Sequence, residues 1–283
     1  MAKVMKDDKI STPFSLLHAA SLLGQRTRIM KFAEAIKKVV KPKMEVLDIG
    51  TGSGVLAMLA AKAGASHVTA IDINSDSIEY AKLAAIENGL GEMIQFHVTN
   101  FMDFRPSRKY DVIICEMLSS MMLIEQQIPA SQHAIKHLLK QDGVLLPRSV
   151  TVYVALSQCE DIWERFRVNS LVFPRLPQSI SKGDAIDLSE LVPVKSFDLM
   201  HLEDDTTVDT TVRICAILDG EAHGIVGLFD AIIFDEINLI PDDGWRELFI
   251  PFDKSIKLTA GDEIVVRIQF TPGELDTLVL ELE

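Results

Sequence analysis

The chain has 283 residues, 48% of them hydrophobic, which is enough to bury a large core and to build two domains. Its formal charge of -13 is uneven: residues 1–149 hold 18 Lys+Arg against 15 Asp+Glu, whereas residues 150–283 hold 10 against 26. The second half would repel a polyanion, which argues against nucleic acid as a partner; it would attract a cationic substrate, although an acidic surface more often serves only solubility.

No apolar run approaches the roughly 20 residues of a membrane span. The charged start, Met1-Ala2-Lys3-Val4-Met5-Lys6, has no signal-peptide core, so a cytoplasmic protein without membrane association is expected. Cys115, Cys159 and Cys215 are odd in number and widely spaced, as thiols of a reducing compartment would be.

In chain order, residues 13–40 read as one helix, with Leu16, Leu17, Leu22, Leu23, Ile29, Phe32, Ile36 and Val39 at three- and four-residue steps, stopped by Pro42. An apolar strand then ends in Asp48-Ile49 and breaks into Gly50-Thr51-Gly52-Ser53-Gly54 before an apolar helix from Val55. Glycine lets the backbone make such a turn and lets a ligand approach it closely. A dinucleotide site would need its third glycine at position 55, which is Val55. The carboxylate of Asp48 would also repel a pyrophosphate, whereas S-adenosylmethionine carries a cationic amino group and a sulfonium that suit it. A second strand ends in Asp72-Ile73, an acid placed to grip a ribose diol.

Beyond it the sequence predicts a helix over 75–88, strands over 93–98 and 110–115, a helix near 126–140 and a strand over 144–146. This alternation points to a Rossmann-like, doubly wound parallel sheet with its ligand at the strands' carboxyl ends. After Pro147 the pattern changes to short β-branched segments at 150–156, 207–218, 225–234, 245–251 and 263–270. Asp219-Gly220, Asp243-Gly244 and Ala260-Gly261 separate them, which predicts a β-barrel or sandwich. The stretch 170–194, with Pro174, Pro177 and Pro193, reads as an insertion.

Glu116 closes the strand over 110–115, and Glu125 follows nine residues later. On a continuous helix the two acids would face opposite ways, so only a loop that doubles back could pair them. Paired in apolar surroundings they would require a cation, and a guanidinium with its planar fork fits best. Taken singly, Glu116 reads as a strand-end residue near the cofactor and Glu125 as a helix N-terminal acid.

On these residues the sequence resembles the protein arginine N-methyltransferases, with gaps, from about Leu22 to Phe270. The run from Val46 to Leu56 and Ala60-Ala61-Lys62-Ala63-Gly64-Ala65 resemble the family's cofactor motif. Glu116 and Glu125 have the separation of its double-Glu loop, whose acids hold the substrate guanidinium, and Gly143-Val144-Leu145-Leu146-Pro147 resembles its entry into the barrel. The resemblance implies that Arg28, with Phe32 four residues on, contacts the cofactor carboxylate; the acid it implies beside the adenine after the third strand is absent, with Asn100 and Phe101 in its place as the cofactor-contacting candidates. Departures are visible too. Met117, Ser119 and Ser120 replace the loop's Trp, Gly and Tyr, Asp243-Gly244-Trp245-Arg246 stands where the family has Thr-His-Trp, and the N-terminal tyrosine motif is missing.

Four further features carry less. His133 and His137 lack the glutamate of a zinc-protease motif, His18 reads as a helix histidine, and Met117, Met121 and Met122 as packing, with Trp245 in the barrel core or on a wall of the active site.

The expectation is a methyltransferase domain over 1–147 and a β-barrel over 148–283. It would bind S-adenosylmethionine through Arg28, Asp48, Gly50, Thr51, Gly52, Gly54, Asp72, Ile73, Asn100 and Phe101. Glu116 and Glu125 would carry transfer to a guanidino nitrogen of arginine in a protein or peptide. A small cationic molecule is the alternative acceptor, and a non-catalytic scaffold the alternative role. A homodimer is expected through the apolar 170–194 insertion, in line with the dimerisation arm that the resemblance implies.

Overall fold

A computed structural model describes residues 15–283. The charged start and the first positions of the expected 13–40 helix lie outside the described residues.

That helix is broken. Helix α1 (Leu16–Ser21) passes into a tight turn at Leu22–Gly24, and α2 (Arg26–Val39) starts afresh. Between them Gln25 adopts φ -83°, ψ 69°, while its side chain donates to the Gly244 carbonyl at 2.8 Å and accepts from Arg28 at 2.9 Å. A long-range contact thus overrides a local periodicity that is otherwise continuous.

The first sheet is parallel. Strands β1 (Glu45–Ile49), β2 (His67–Asp72), β3 (Ile94–Val98), β4 (Tyr110–Cys115) and β5 (Leu139–Leu146) lie in the order β3-β2-β1-β4-β5. Val46, Leu47, Ile113 and Ile114 are completely buried, as strands covered on both faces must be. Helices α3 (Val55–Lys62) and α4 (Ser75–Glu87) follow β1 and β2. The chain leaves β1 for β2 on one side and later returns to place β4 on the other, opening a crevice at their carboxyl ends.

The helix expected near 126–140 is shorter. Helix α5 (Gln127–His133) widens into a π turn over Ala134–Leu138, and β5 begins at Leu139, five residues before the expected strand. Pairing of Leu139 with Tyr110, beside an ion pair of Lys140 with Asp111 at 2.9 Å, draws this segment into the sheet.

Beyond Pro147 every strand pairing is antiparallel. Strands β6 (Ser149–Gln158), β7 (Arg167–Val168), β8 (Leu171–Val172), β9 (Gln178–Ile180), β10 (Ile186–Asp187), β11 (Val192–Asp198), β12 (Val208–Cys215), β13 (Gly220–Phe234), β14 (Ile237–Leu239), β15 (Glu247–Leu258), β16 (Glu263–Thr271) and β17 (Glu274–Leu282) follow, with the short α6 (Glu160–Glu164) after β6. One sheet runs β10-β6-β13-β15-β9, with β11 beside β6 and β14 beside β13. A second runs β12-β16-β17, joined to the first by a bridge between Ser189 and Ala216, and β7 and β8 pair as a separate two-stranded sheet. The insertion therefore contains strand after all, and it buries Ile180 and Leu188 while Leu171, Val172, Phe173, Leu176 and Ile186 stay exposed. Strand β17 escaped the sequence reading, although Pro272-Gly273 marks the turn before it.

The two halves meet at the segment after β4. Met121 packs so closely on β13 that a Cβ at Gly227 would lie 2.2 Å from its Sδ. Met121 and Met122 are fully buried with φ 58° and 56°, a left-handed conformation that bulky residues rarely adopt and that surrounding contacts must maintain.

Candidate active site

A cavity of about 620 Å³ opens at the carboxyl ends of β1, β2 and β4. Its floor is the glycine turn. The N–H groups of Gly50 and Thr51 both donate to the Ile71 carbonyl, at 2.9 and 3.0 Å, which ties the turn to β2. Gly50, Gly52 and Gly54 have φ +71°, +50° and +80°, so each occupies a conformation suited to glycine. Gly50 and Gly52 face the cavity, whereas a Cβ on Gly54 would meet that of Ala81 at 2.8 Å. Gly54 therefore allows close packing of α4 and does not line the wall.

Asp72 stands at the rim. Its Oδ2 accepts from the Gly52 N–H at 2.9 Å and its Oδ1 from the Asn74 N–H at 2.8 Å. Each oxygen keeps a lone pair for another donor. Ile73 lies beside it on the wall.

Asp48 is elsewhere. Its side chain turns from the cavity toward α3, accepting from Thr51 Oγ1 at 2.6 Å and from the Ala57 N–H at 3.1 Å. Burial pushes its carboxyl up to about 7, opposed by these two hydrogen bonds. Side chains alternate along a strand, and position 48 falls on the helix-covered face, so this acid supports the turn from beneath. Asn100 is also off the wall: its Oδ1 closes a local turn onto the Met102 N–H at 2.9 Å, leaving Thr99 and Phe101 on the cavity.

Glu116 and Glu125 both line the cavity, because the chain between them reverses. Ser119 Oγ accepts the Ile124 and Glu125 N–H groups at 3.2 and 3.0 Å, and the Met117 N–H donates to Gln127 Oε1 at 2.8 Å. No glycine marks this reversal; Met121 and Met122 take the left-handed turn instead.

Arg28 enters the same wall from α2 and forms an ion pair with Glu116. Its guanidinium also lies 4.4 Å from the centroid of Trp245, whose Nε1 donates to the Leu118 carbonyl at 3.0 Å. Trp245 is thus a backing residue behind the arginine. Burial lowers Arg28 to about 10, with the field of Glu125 opposing the shift. Burial likewise raises Glu125 to about 7, offset by Arg28. Glu116 Oε1 is buried and has no hydrogen-bond partner among the described residues. An orphan acceptor on a cavity wall is costly unless a donor arrives from outside the chain.

His18, Ser77, Gln126 and Gly273 also line the cavity. Gln126 and Gly273 were not singled out in the sequence, and the only signal for Gly273 was its Pro-Gly pair. His133 and His137 sit with ring centroids 4.7 Å apart, off this wall, and no group of three metal-ligating side chains occurs among the described residues.

The profile of the family described as "Ribosomal protein L11 methyltransferase (PrmA)" matches residues 30–161, which contain the parallel sheet. The chain is 33% identical to protein arginine N-methyltransferase 1 of Saccharomyces cerevisiae, an alignment covering 93% of this chain and 82% of that one. It is 26% identical to an arginine N(omega)-methyltransferase of Streptomyces achromogenes subsp. streptozoticus, over 88% of this chain and 74% of the relative. Against protein arginine N-methyltransferase 7 of Rattus norvegicus it is 24% identical but spans only 36% of that protein. Among solved structures, the Trypanosoma brucei PRMT1 enzyme-prozyme heterotetrameric complex with AdoHcy superposes with a TM-score of 0.81 at 21% identity, covering 94% of this chain and 92% of that one. Arabidopsis thaliana protein arginine methyltransferase 10 gives 0.78 at 19%, over 90% and 88%. With a parallel sheet and antiparallel sheets arranged as in those structures, and a relative one-third identical over most of both lengths, the chain belongs to the protein arginine N-methyltransferase family.

Proposed function

We propose that this chain transfers the methyl group of S-adenosylmethionine to a guanidino nitrogen of an arginine side chain in a protein or peptide. The observation that carries the reading is the buried, partnerless Oε1 of Glu116 on the wall that Glu125 shares. A guanidinium, with five N–H donors in a planar fork, is the group that supplies donors to two such acids.

The cavity fits the cofactor. Gly50 and Gly52 line it without side chains, and Asp72 presents two oxygens with spare acceptor capacity for a ribose diol. Arg28 brings a cation for a carboxylate, while Thr99 and Phe101 offer a wall for the base. When bound, S-adenosylmethionine supplies an electrophilic methyl on a sulfonium centre. The residues of this chain do the rest: Glu116 and Glu125 hold the acceptor's positive charge toward two nitrogens and so leave the third as the one with an available electron pair. Arg28 pairs with Glu116, and the Trp245 ring backs Arg28. Orientation of this kind contributes much of the rate in a reaction between two bound groups.

In this reading residues 1–147 form the cofactor unit, and residues 148–283 form a barrel-like wall of the cleft from their two larger antiparallel sheets. The exposed apolar residues of the insertion, Leu171, Val172, Phe173 and Leu176, favour a homodimer. Light scattering at micromolar concentration tests it, a dimer mass supporting the idea and a monomer removing it. Three free cysteines, two of them buried, accord with a cytoplasmic site of action, and no helix among the described residues is long and apolar enough to cross a membrane.

A second acceptor has one observation behind it: the Streptomyces relative is named for arginine with no protein attached. Label from the methyl donor should enter an arginine-containing peptide, and acid hydrolysis should return it as methylarginine. Transfer to free arginine with none to the peptide would favour the small-molecule reading, and no transfer to either would remove both.

A further inference from the structure

This inference rests on the reading above and concerns what holds Glu125 in place. Between a 3-10 turn at Ser120–Met122 and α5, residues 123–126 follow no regular structure, and the left-handed methionines of that turn cannot sustain the path alone. From inside, Ser119 Oγ anchors the backbone of Ile124 and Glu125.

From outside, the anchor is the tip of the C-terminal hairpin. Thr271 pairs with Glu274, so Pro272 and Gly273 are the two turn residues between β16 and β17. Gly273 has φ +80°, as the third position of a type II turn requires. Its N–H donates to the Met122 carbonyl at 2.8 Å, and its own carbonyl accepts from Gln126 Nε2 at 2.7 Å. The two bonds bracket the segment carrying Glu125, tying it to a turn 147 positions away from Gln126. The fit is close, since a Cβ on Gly273 would lie 2.7 Å from Gln126 Nε2.

We propose that Gln126 is a positioning residue, and that its clasp with Gly273 sets the placement of the Glu125 carboxylate against the acceptor guanidinium. Glu125 lies one residue from the clasp, and Gln126 and Gly273 line the same cavity as Glu125, so a shift of the hairpin tip moves the acid and the wall together. A displacement of about 1 Å at such a position costs on the order of 100-fold in rate. A hairpin tied down merely for stability predicts something different: loss of the clasp would lower folding and cofactor affinity in step with turnover.

The test is Gln126→Leu in the full chain, which keeps the side chain's apolar stem and removes the donor. An arginine-containing peptide supplies kcat and KM, S-adenosylhomocysteine the cofactor-site affinity, and thermal melting the stability. The clasp predicts a fall in kcat of about 10-fold or more, with S-adenosylhomocysteine affinity within twofold of wild type and melting lowered by only a few degrees. Gly273→Ala both crowds Gln126 and strains the turn at φ +80°, so it should lower kcat and melting together. Adding Gln126→Ala to it should recover only the part of melting due to crowding, without restoring kcat. Should Gln126→Leu not fold, Gln126→Asn, whose amide is one methylene short, carries the same prediction. Wild-type kcat in Gln126→Leu, a parallel fall of kcat and S-adenosylhomocysteine affinity, or recovery of kcat in the double variant would each overturn the positioning role. A wild-type chain inactive on arginine would instead overturn the functional reading, and the clasp with it.

Discussion

Arg28 and Glu116 form an ion pair with side chains only 9% and 10% exposed, and the arginine is held between Gln25 on one side and the Trp245 ring on the other. A pair this dry depends on both members, because removing one leaves a buried charge without compensation. The same arginine serves the packing of α2 against the segment carrying Trp245, where Lys31 also bonds Asp243 at 2.6 Å.

Arg28→Lys should therefore not be conservative. Lysine lacks the planar fork that meets Glu116 and Gln25 together, and it is more strongly hydrated than a guanidinium. The expected result is a loss of about 1 to 3 kcal/mol in folding stability with weakened S-adenosylhomocysteine binding. Denaturant unfolding and calorimetry measure the two, and wild-type values for both would remove Arg28 from the site.

Glu125 gives the reaction a pH dependence of definite sign. Burial raises its carboxyl to about 7, so below that pH it is protonated and cannot hold a guanidinium by charge. The kcat/KM for an arginine peptide should climb as pH rises through about 7 and then level off. Glu125→Gln should flatten that limb as well as lower it, and a wild-type profile flat between pH 6 and 8 would contradict the role.

Asp48 governs stability instead. Its folded value of about 7 lies above the ordinary 3.8, so the folded chain holds a proton that the unfolded chain releases. The stabilising contribution is complete below pH 4 and is lost as pH rises toward 7, by an amount of up to about 4 kcal/mol. Asp48→Asn keeps an oxygen for Thr51 and the Ala57 N–H and does not ionise. Its unfolding free energy should fall less than that of wild type between pH 5 and 8, and equal slopes would place the titration elsewhere.

Asp72 lines the cavity with a spare lone pair on each oxygen. Asp72→Ala removes the cap on the Gly52 N–H and a charged acceptor worth about 1.5 to 3 kcal/mol. S-adenosylhomocysteine affinity should drop roughly 10- to 100-fold. Unchanged affinity would move the adenosine to another wall.

What could be read from the chain divides along physical lines. The glycine turn and Asp72 are local signals: positive φ demands glycine, and a strand that ends in an acid exposes it at the sheet's open edge. The direction of Asp48, two positions before Gly50, depends on which face α3 covers, and that is settled only by packing. The reversal between Glu116 and Glu125 was visible as a requirement and not as a turn, since methionines rather than glycines take the left-handed positions. Gln126 and Gly273 escaped notice because their meeting needs both sheets assembled. The break at Gln25 was hidden for the same reason, its partner Gly244 being 219 positions away.

The central claim is that Glu116 and Glu125 act together on one guanidinium, and rapid-quench methyl transfer to an arginine-containing peptide tests it most directly. Wild type, Glu116→Gln, Glu125→Gln and the double variant should be compared with the donor saturating and each variant's S-adenosylhomocysteine affinity measured alongside. Each single variant should lose at least 10- to 100-fold in transfer, from one charged hydrogen bond worth about 1.5 to 3 kcal/mol together with misplacement of the acceptor. The double variant should lose less than the product of the two, as groups that work as a unit do. Glu125→Gln should retain cofactor affinity close to that of wild type. Transfer to arginine at the wild-type rate by both single variants would contradict the account.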